Sequence, residues 1–361
     1  MKILQLLAGG KHGGAETAFV DTCIAMHEYG FDQRILTRPN ETRIPRLREA
    51  GLDVATLPFG GALDIYTPMA IARHVRDFQP DIIQSWMSRA AAKVRHAAKS
   101  AHRNHRAVHI ARLGNYYKMK YFKSVDGFIA ITPMIRDYIT QSGVPARDVT
   151  HINNFAETES PSRTHLREKM AITDDTPLLL ALGRLHDDKA HDVLLMALTD
   201  IPKAHLWIAG DGPDKDKLKA LARTLGVSDR VDFLGWRSDR ADLFQAADIC
   251  VFASRDEPFG TVFVQSWMHE TPVVVSDADG PRQFVRDGED GLIVPKEDPP
   301  KLAQAIVSLI HDADLRARLV ANGRKRYTDE FTKEKTIADY KVFYEDMISS
   351  RIKNTPDHHN L

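Results

Sequence analysis

The reading of the fold turns on KILQLLAGGKHGGAETAFVDTCIAMHEY, residues 2–29. Lys2–Leu7 is a short apolar run, which predicts a strand. Gly9, Gly10, Gly13 and Gly14 follow it. Ala18, Phe19, Thr22, Cys23 and Met26 then recur at helical spacing within Ala15–Tyr29. A strand that passes through glycines into a helix leaves backbone N–H groups at the helix start, where an anion can approach. The spacing is not GxGxxG, because in the frame Gly9, Lys11, Gly14 the middle position is lysine. No Gly-Lys-Ser/Thr follows either. The loop therefore disfavours a nicotinamide dehydrogenase and a P-loop enzyme, and predicts a phosphate or sugar at a cleft.

The same rhythm extends outward. Short apolar runs return at Gln33–Leu36, Val54–Leu57, Asp81–Ser85, Ala107–Ala111, Gly127–Ile131 and Val149–Ile152, with helical patterns between most of them. Strands alternating with helices predict βαβ units and a parallel sheet. The polar stretch Ala156–Thr164 reads as a linker. The rhythm then restarts at Leu178–Leu182 and continues through Ala204–Ala209, Val231–Leu234, Ile249–Phe252, Val273–Val275 and Gly291–Val294. Helical patterns close the chain at Pro300–His311, Ala313–Tyr327 and Thr332–Ile352. Two complete sets of units fit two doubly wound α/β domains better than one barrel. In such sheets ligands bind at the carboxyl ends of the strands, and a cleft between two such domains is the expected site.

Composition agrees. A chain of 361 residues with 43% apolar and 27% charged residues is long enough for two globular domains and is not a disordered chain. No run approaches the ~20 apolar residues of a membrane-spanning helix. The apolar run Ile3–Ala8 is too short for the core of a signal peptide. Cys23 and Cys250, the two cysteines, are expected as reduced core residues of a cytosolic protein.

The net charge of zero hides an asymmetry. Residues 1–150 carry 21 Lys+Arg against 13 Asp+Glu, a net of +8, so the remainder carries −8. Between Asp81 and Asp126 there is no acid, but there are ten Lys+Arg running from Arg89 to Lys123, with four histidines and interleaved aromatics. The simplest account is a solvated basic helix face. The length of the run favours an anionic membrane surface or a phosphate-bearing acceptor docking on residues 89–123. No nucleic-acid motif accompanies the charge.

Two loops of the second half carry chemistry. In Gly183-Arg184-Leu185-His186-Asp187-Asp188-Lys189, a strand ends in glycine and two cations lie five residues apart, able to converge on one diphosphate. The alternative is surface charge partnered locally by Asp187 and Asp188. In Glu257-Pro258-Phe259-Gly260-Thr261-Val262-Phe263-Val264-Gln265, a strand leads into a helix whose first N–H groups follow Gly260. Gln265 lies about one turn into that helix, so its side chain and that of Glu257 can face one ligand. The alternatives are a capping carboxylate for Glu257 and a solvated helix residue for Gln265.

The set GGAE, GRLHDDK, IAGDGP, FLGW and EPFGTVFVQ, in that order, resembles glycosyltransferase family 4 and covers essentially the whole chain. The resemblance implies the GT-B fold, with two Rossmann-like doubly wound parallel-sheet domains facing a cleft. Residues 1–155 would bind the acceptor and 156–331 the nucleotide-sugar donor, with 332–361 crossing back to the first domain. It implies a retaining, metal-independent transferase of the hexosyl type that uses a UDP- or GDP-linked sugar and needs no cofactor. The acceptor would be a glycan or lipid-linked molecule of lipopolysaccharide, capsule or another surface polysaccharide. The protein would be cytoplasmic, at most peripheral on the membrane, and without a nucleic-acid partner.

Carried over position by position, Arg184 and Lys189 resemble the pair that grips the donor diphosphate, and Glu257 the first glutamate of the E-x7-E element, which contacts the sugar. Gly13, Gly14, Gly183, Gly212, Leu234, Trp236, Phe259, Gly260, Thr261 and Gln265 fall in the donor-binding motifs. The family usually has a second glutamate where this chain has Gln265, an amide that still hydrogen-bonds a hydroxyl but without charge assistance. Glu16, Arg112 and Tyr116 are the expected acceptor contacts, and Asn154 matches an asparagine at the domain hinge. Where many relatives carry His-Gly after the fifth strand, this chain has Leu113-Gly114. His109, expected inside that strand, reads more readily as a core or surface histidine than as a substrate contact. No carboxylate pair in nucleophile and acid positions is evident, and the Asp-x-Asp pairs Asp214/Asp216 and Asp277/Asp279 carry no metal signal. A sugar-nucleotide epimerase or hydrolase on the same fold stays open as an alternative. So does a non-catalytic binding subunit, motivated by Gln265.

Overall fold

A computed structural model describes residues 1–10, 13–61, 63–97, 107–157 and 166–353. Lys11, the 98–106 part of the basic window and the 158–164 part of the expected linker lie outside the described residues. The chain divides into two compact units. One comprises Met1–Asn154 with Lys333–Leu361, and the other Phe155–Thr332.

The first unit is a parallel sheet of β1 (Lys2–Leu7), β2 (Asp32–Thr37), β3 (Asp53–Thr56), β4 (Ile82–Trp86), β5 (Val108–Leu113), β6 (Gly127–Ala130) and β7 (Val149–His151). Their order is β3-β2-β1-β4-β5-β6-β7. The second holds β8 (Leu178–Leu182), β9 (His205–Ala209), β10 (Val231–Gly235), β11 (Ile249–Phe252), β12 (Val273–Ser276) and β13 (Leu292–Val294) in the order β10-β9-β8-β11-β12-β13. Both are doubly wound α/β sheets. Helices cover both faces, so strands such as LLLAL and VVVS are buried at every position rather than alternately. In each sheet the strand order reverses once, at β1/β4 and at β8/β11. Such a reversal opens a crevice at the carboxyl edge.

Local chemistry sets the helix starts. Thr132, Asp298 and Asp312 each accept an N–H from three residues on, at 3.2, 2.9 and 2.8 Å. Proline follows the first two caps, in the first helical turn. Cys23 and Cys250 are buried free thiols.

The closing helix, Lys333–Lys353, packs into the first unit. Ile337, Tyr340, Phe343, Tyr344 and Met347 are buried there. The Tyr344 hydroxyl bonds the Gln84 side chain on β4, and Arg351 reaches Asp126 at 2.9 Å and the Ala107 carbonyl at 2.8 Å.

Two buried histidines, His109 and His191, and the half-buried His151 are held neutral. His109 on β5 accepts from the Ser85 hydroxyl at Nε2 (2.9 Å) and donates from Nδ1 to the Ser124 carbonyl (3.1 Å). Burial pushes His109, His151 and His191 each down to about 4 from an ordinary 6.5. An imidazole that stays neutral in the fold but protonates once unfolded favours the unfolded chain below its ordinary pKa. The stability these three rings contribute is therefore full above pH 6.5, falls as pH drops towards 4, and is lost below that. Each site contributes on the order of 3 kcal/mol across that window. The expected result is a melting temperature roughly 5–10 °C lower at pH 5 than at pH 7.5 by circular dichroism. A flat profile over that range would contradict the burial of these rings.

Candidate active site

The second unit's crevice is built where β8 and β11 end side by side. After β8 the chain runs through Gly183 and Arg184 into a short turn at Asp187–Lys189, then into the helix His191–Leu198. After β11 it runs through Ala253–Gly260 into the helix Thr261–Met268. Backbone bonds clamp the two loops together, with Arg255 N donating to the Asp188 carbonyl at 2.8 Å. The Arg255 side chain reinforces the clamp. It donates to the Asp187 carbonyl (2.7 Å) and to both oxygens of Asp192 (2.9 and 2.7 Å), and pairs with Glu297. The hydrogen bond to Asp192 leads the causes that raise its pKa further. The only mark of Arg255 in the sequence is its place two residues before Glu257.

Within this frame the Lys189 ammonium donates to the Glu257 carboxylate, both side chains being largely buried. Glu257 is thus not a helix cap, and Lys189 does not use Asp187 or Asp188. Asp187 goes to Arg255, and Asp188 contacts His186 at 3.2 Å. Arg184 is exposed, and among the described residues its guanidinium has no hydrogen bond or ion pair. Arg184, whose charge has no partner among the described residues, lies on the same loop as Lys189, and an anion that drew Lys189 from Glu257 would meet both cations.

Glycine permits the close approaches. Gly260 has φ +90°, and a Cβ there would lie 2.5 Å from the Phe252 ring. Gly260 precedes the helix without a side-chain cap, so the first amides of Thr261–Met268 receive no acceptor from it. At Gly210 a Cβ would fall 1.8 Å from the Gly183 carbonyl, so the β9 loop passes directly against the β8 loop. Gly212 likewise packs on the Leu185 backbone.

The remaining donor-motif residues sort by burial. Gln265 is 4% exposed, hence not a solvated helix residue. Phe259 is buried against Phe284 and Phe263, with ring centroids at 5.0 and 5.6 Å. Its side chain therefore anchors the loop and leaves only its backbone for a ligand to use. Trp236, beyond β10, is 74% exposed, with Arg240 5.8 Å from its ring. Leu234 and Thr261 are half-buried.

In the first unit, Gly13 and Gly14 are exposed at the start of the helix Gly14–Glu28, and Glu16 folds back so that Gly10 N donates to it at 2.6 Å. Tyr116 is exposed and stacks edge-on against Tyr138 at 5.4 Å. Arg112 is used differently from its expected acceptor contact. It is buried, donates to the Tyr340 hydroxyl at 2.7 Å and to Asn154, and lies 4.1 Å from the Trp86 ring. The residues from Arg89 to Lys123 are consequently not one basic face, because His109 and Arg112 point into the core while Arg89, Lys118, Lys120 and Lys123 remain exposed.

Among the described residues no group of three His, Cys, Asp or Glu is placed to hold a metal ion, and no helix is long and apolar enough to cross a membrane.

Comparison with known proteins adds the following. Residues 162–326 match the family model of glycosyl transferases group 1, and residues 12–160 that of glycosyltransferase family 4. The lipopolysaccharide core biosynthesis glycosyltransferase LpsE of Rhizobium meliloti is 33% identical over 332 residues, 90% of this chain and 94% of that protein. LpsD of the same organism, with the same description, is 31% identical over 94% of this chain and 96% of its own. Among solved structures, Anabaena Alr3699/HepE in complex with UDP and glucose superposes with a TM-score of 0.82 at 22% identity, over 96% of this chain and 99% of that one. WaaG, a glycosyltransferase involved in lipopolysaccharide biosynthesis, does so with 0.72 at 15% identity, over 94% and 99%.

Proposed function

The chain belongs to glycosyltransferase family 4 and has its GT-B fold, and from that premise we propose that it is a retaining, metal-independent transferase moving a hexose from a UDP- or GDP-linked sugar to a glycan or lipid-linked acceptor of lipopolysaccharide or another surface polysaccharide. The observation that carries this is the crevice after β8 and β11, where Arg184 is unpartnered among the described residues, Lys189 pairs with Glu257 and the helix after Gly260 starts without a side-chain cap. The relatives named for lipopolysaccharide core biosynthesis and the UDP complex of the Anabaena protein support the choice of acceptor and donor.

In this reading the donor diphosphate lies against Arg184, Lys189 and the first amides of Thr261–Met268. It displaces Lys189 from Glu257, which frees the carboxylate for a sugar hydroxyl. Gln265 bonds the ribose hydroxyls, and Leu234 and Trp236 border the base. The C1–O bond to the diphosphate breaks while the acceptor oxygen bonds C1 on the same face, and the acceptor's proton passes to the departing phosphate oxygen. The protein's contribution is electrostatic, in that the cations and amides stabilise charge growing on the leaving group. They supply what a divalent ion would, so turnover is expected to survive EDTA. The first unit takes the acceptor, near Glu16 and Tyr116, with Arg112 holding the sheet edge rather than the ligand. The protein acts on the cytoplasmic side of a membrane whose anionic surface meets the exposed cations of residues 89–123.

A thermal-shift screen of nucleoside diphosphates and their sugar conjugates tests the reading. A ligand at 100 times its Kd stabilises the fold by about 2.7 kcal/mol, a rise of several degrees. UDP or GDP is expected to give it. If no nucleoside diphosphate or sugar conjugate moves the transition, the assignment fails. Release of free sugar or an epimer without acceptor would favour the hydrolase or epimerase alternative.

A further inference from the structure

Across the loop after β3 and the first turn of the helix Tyr66–Phe78, the chain exposes four large apolar side chains within seven residues. Leu63 is 95%, Ile65 75%, Tyr66 63% and Met69 69% exposed. Among the described residues no other stretch of that length exposes more than two, and isolated exposed apolar residues need no explanation.

The segment is not loose. Asp64 accepts from the Gly60 and Thr67 amides at 2.7 and 2.9 Å, and the Thr67 hydroxyl, then its amide, lead the contacts that draw the carboxyl well below the usual range. The buried Thr67 hydroxyl accepts from Phe59 N at 3.2 Å. Lys93 reaches across from the helix Met87–Ala97 and donates to the Gly61 and Asp64 carbonyls at 2.9 and 2.8 Å, with the Asp64 carboxylate 3.3 Å away. The Asp64 carboxylate and the Lys93 ammonium are satisfied internally and tie down the Gly60 and Thr67 amides and the Gly61 and Asp64 carbonyls, so the segment is braced while its apolar side chains are held in water. Such bracing reduces the ordering cost of burying them elsewhere.

The surroundings are cationic. Arg73 and Arg76 follow Met69 at four and seven residues on the same helix, both exposed, Arg73 sharing Asp77 at 3.6 Å. The helix that supplies Lys93 carries exposed Arg89 and no acid. Tyr66 and Arg73 also wall a cavity of about 390 Å³ with Arg34 and His74, lined further by Asp53 and Asp77. Polar space for head groups thus adjoins side chains suited to the acyl boundary, the arrangement of an interfacial anchor.

We propose that Leu63, Ile65, Tyr66 and Met69 form a braced wedge that inserts into an anionic lipid monolayer, with Arg73, Arg76 and Arg89 at the head-group level. This rests on the reading that the chain works at a membrane and names the element that enters it. The wedge makes docking part hydrophobic, so binding persists where charge alone is screened.

The test is sedimentation with vesicles of phosphatidylcholine and phosphatidylglycerol in low and 0.5 M salt. The Leu63→Ser/Ile65→Ser/Met69→Ser chain is expected to bind at least 10-fold more weakly at both salt levels, with unchanged melting temperature and unchanged nucleoside diphosphate binding. In a separate Tyr66→Trp chain, brominated lipids are expected to quench indole fluorescence beyond the wild-type level. Binding that vanishes in 0.5 M salt and is indifferent to the triple substitution would keep charge-driven docking and overturn the wedge. A wild-type chain that ignores vesicles but forms a dimer broken by the triple substitution would assign the patch to a second copy and overturn it equally.

Discussion

Arg184→Ala lowers kcat/KM on the order of 100-fold and leaves the melting temperature within a degree of wild type. The two halves of that expectation come from one fact. Among the described residues the Arg184 guanidinium bonds to nothing in the protein, so its removal costs the fold nothing. What it loses is stabilisation of charge on a leaving diphosphate, worth a few kcal/mol for one donor in a preorganised site. Lys189→Ala is expected to reduce kcat/KM as strongly but with a small drop in melting temperature, because it strands the largely buried Glu257 carboxylate. Steady-state kinetics with a nucleotide sugar and a melting curve on each variant check the pair. Normal turnover in both would remove the proposed role from these cations. A large melting shift in Arg184→Ala would mean that its side chain supports the fold.

The second large effect is structural. Ending the chain at Thr332 removes the helix Lys333–Lys353 and with it the buried Ile337, Tyr340, Phe343, Tyr344 and Met347 from the first unit. At about 1.5–3 kcal/mol each, five such side chains represent roughly 8–15 kcal/mol. That equals the whole stability of an ordinary domain. The loss also strands Arg112, whose Nε bonds Tyr340, and Gln84, bonded by Tyr344. The expected outcome is a first unit that does not fold, with limited proteolysis leaving only a fragment near Phe155–Thr332. A truncated chain that melts cooperatively with both units protected would contradict this packing. The single substitution Tyr344→Ala is a gentler form, expected to cost about 3–5 kcal/mol.

The doubly wound sheets were legible because strands buried on both faces read as unbroken apolar runs. The Gly-to-helix transitions after β1, β8 and β11 also mark strand ends without any tertiary knowledge. The loops that carry charge were legible as candidates for the same reason. What the chain did not disclose are pairings across long separations. Lys189 and Glu257 lie 68 residues apart, and the spacing of either gives no sign of the other. Arg112 looked like a ligand contact because an arginine at the carboxyl end of a strand usually is exposed there. Its partner Tyr340 is 228 residues away, on a helix whose docking no local pattern encodes. For Gln265 the spacing leaves a ligand contact and a solvated helix residue both open, and only the packing of Phe259, Phe263 and Phe284 around its helix shows that the side chain is buried. The exposed wedge was illegible for the opposite reason. Leu63, Ile65 and Met69 look like core residues until the structure puts the buried face of the helix Tyr66–Phe78 on Thr67, Ile71 and Val75 and leaves its first turn and the loop before it in water.

The central claim is that positive charge after β8 receives a pyrophosphate. Calorimetric titration of UDP and GDP into the wild-type, Arg184→Ala and Lys189→Ala chains tests it without requiring an acceptor. The account predicts that at least one nucleotide binds the wild type and that each substitution weakens it tenfold or more, about 1.4 kcal/mol. Equal affinity in all three chains would contradict it.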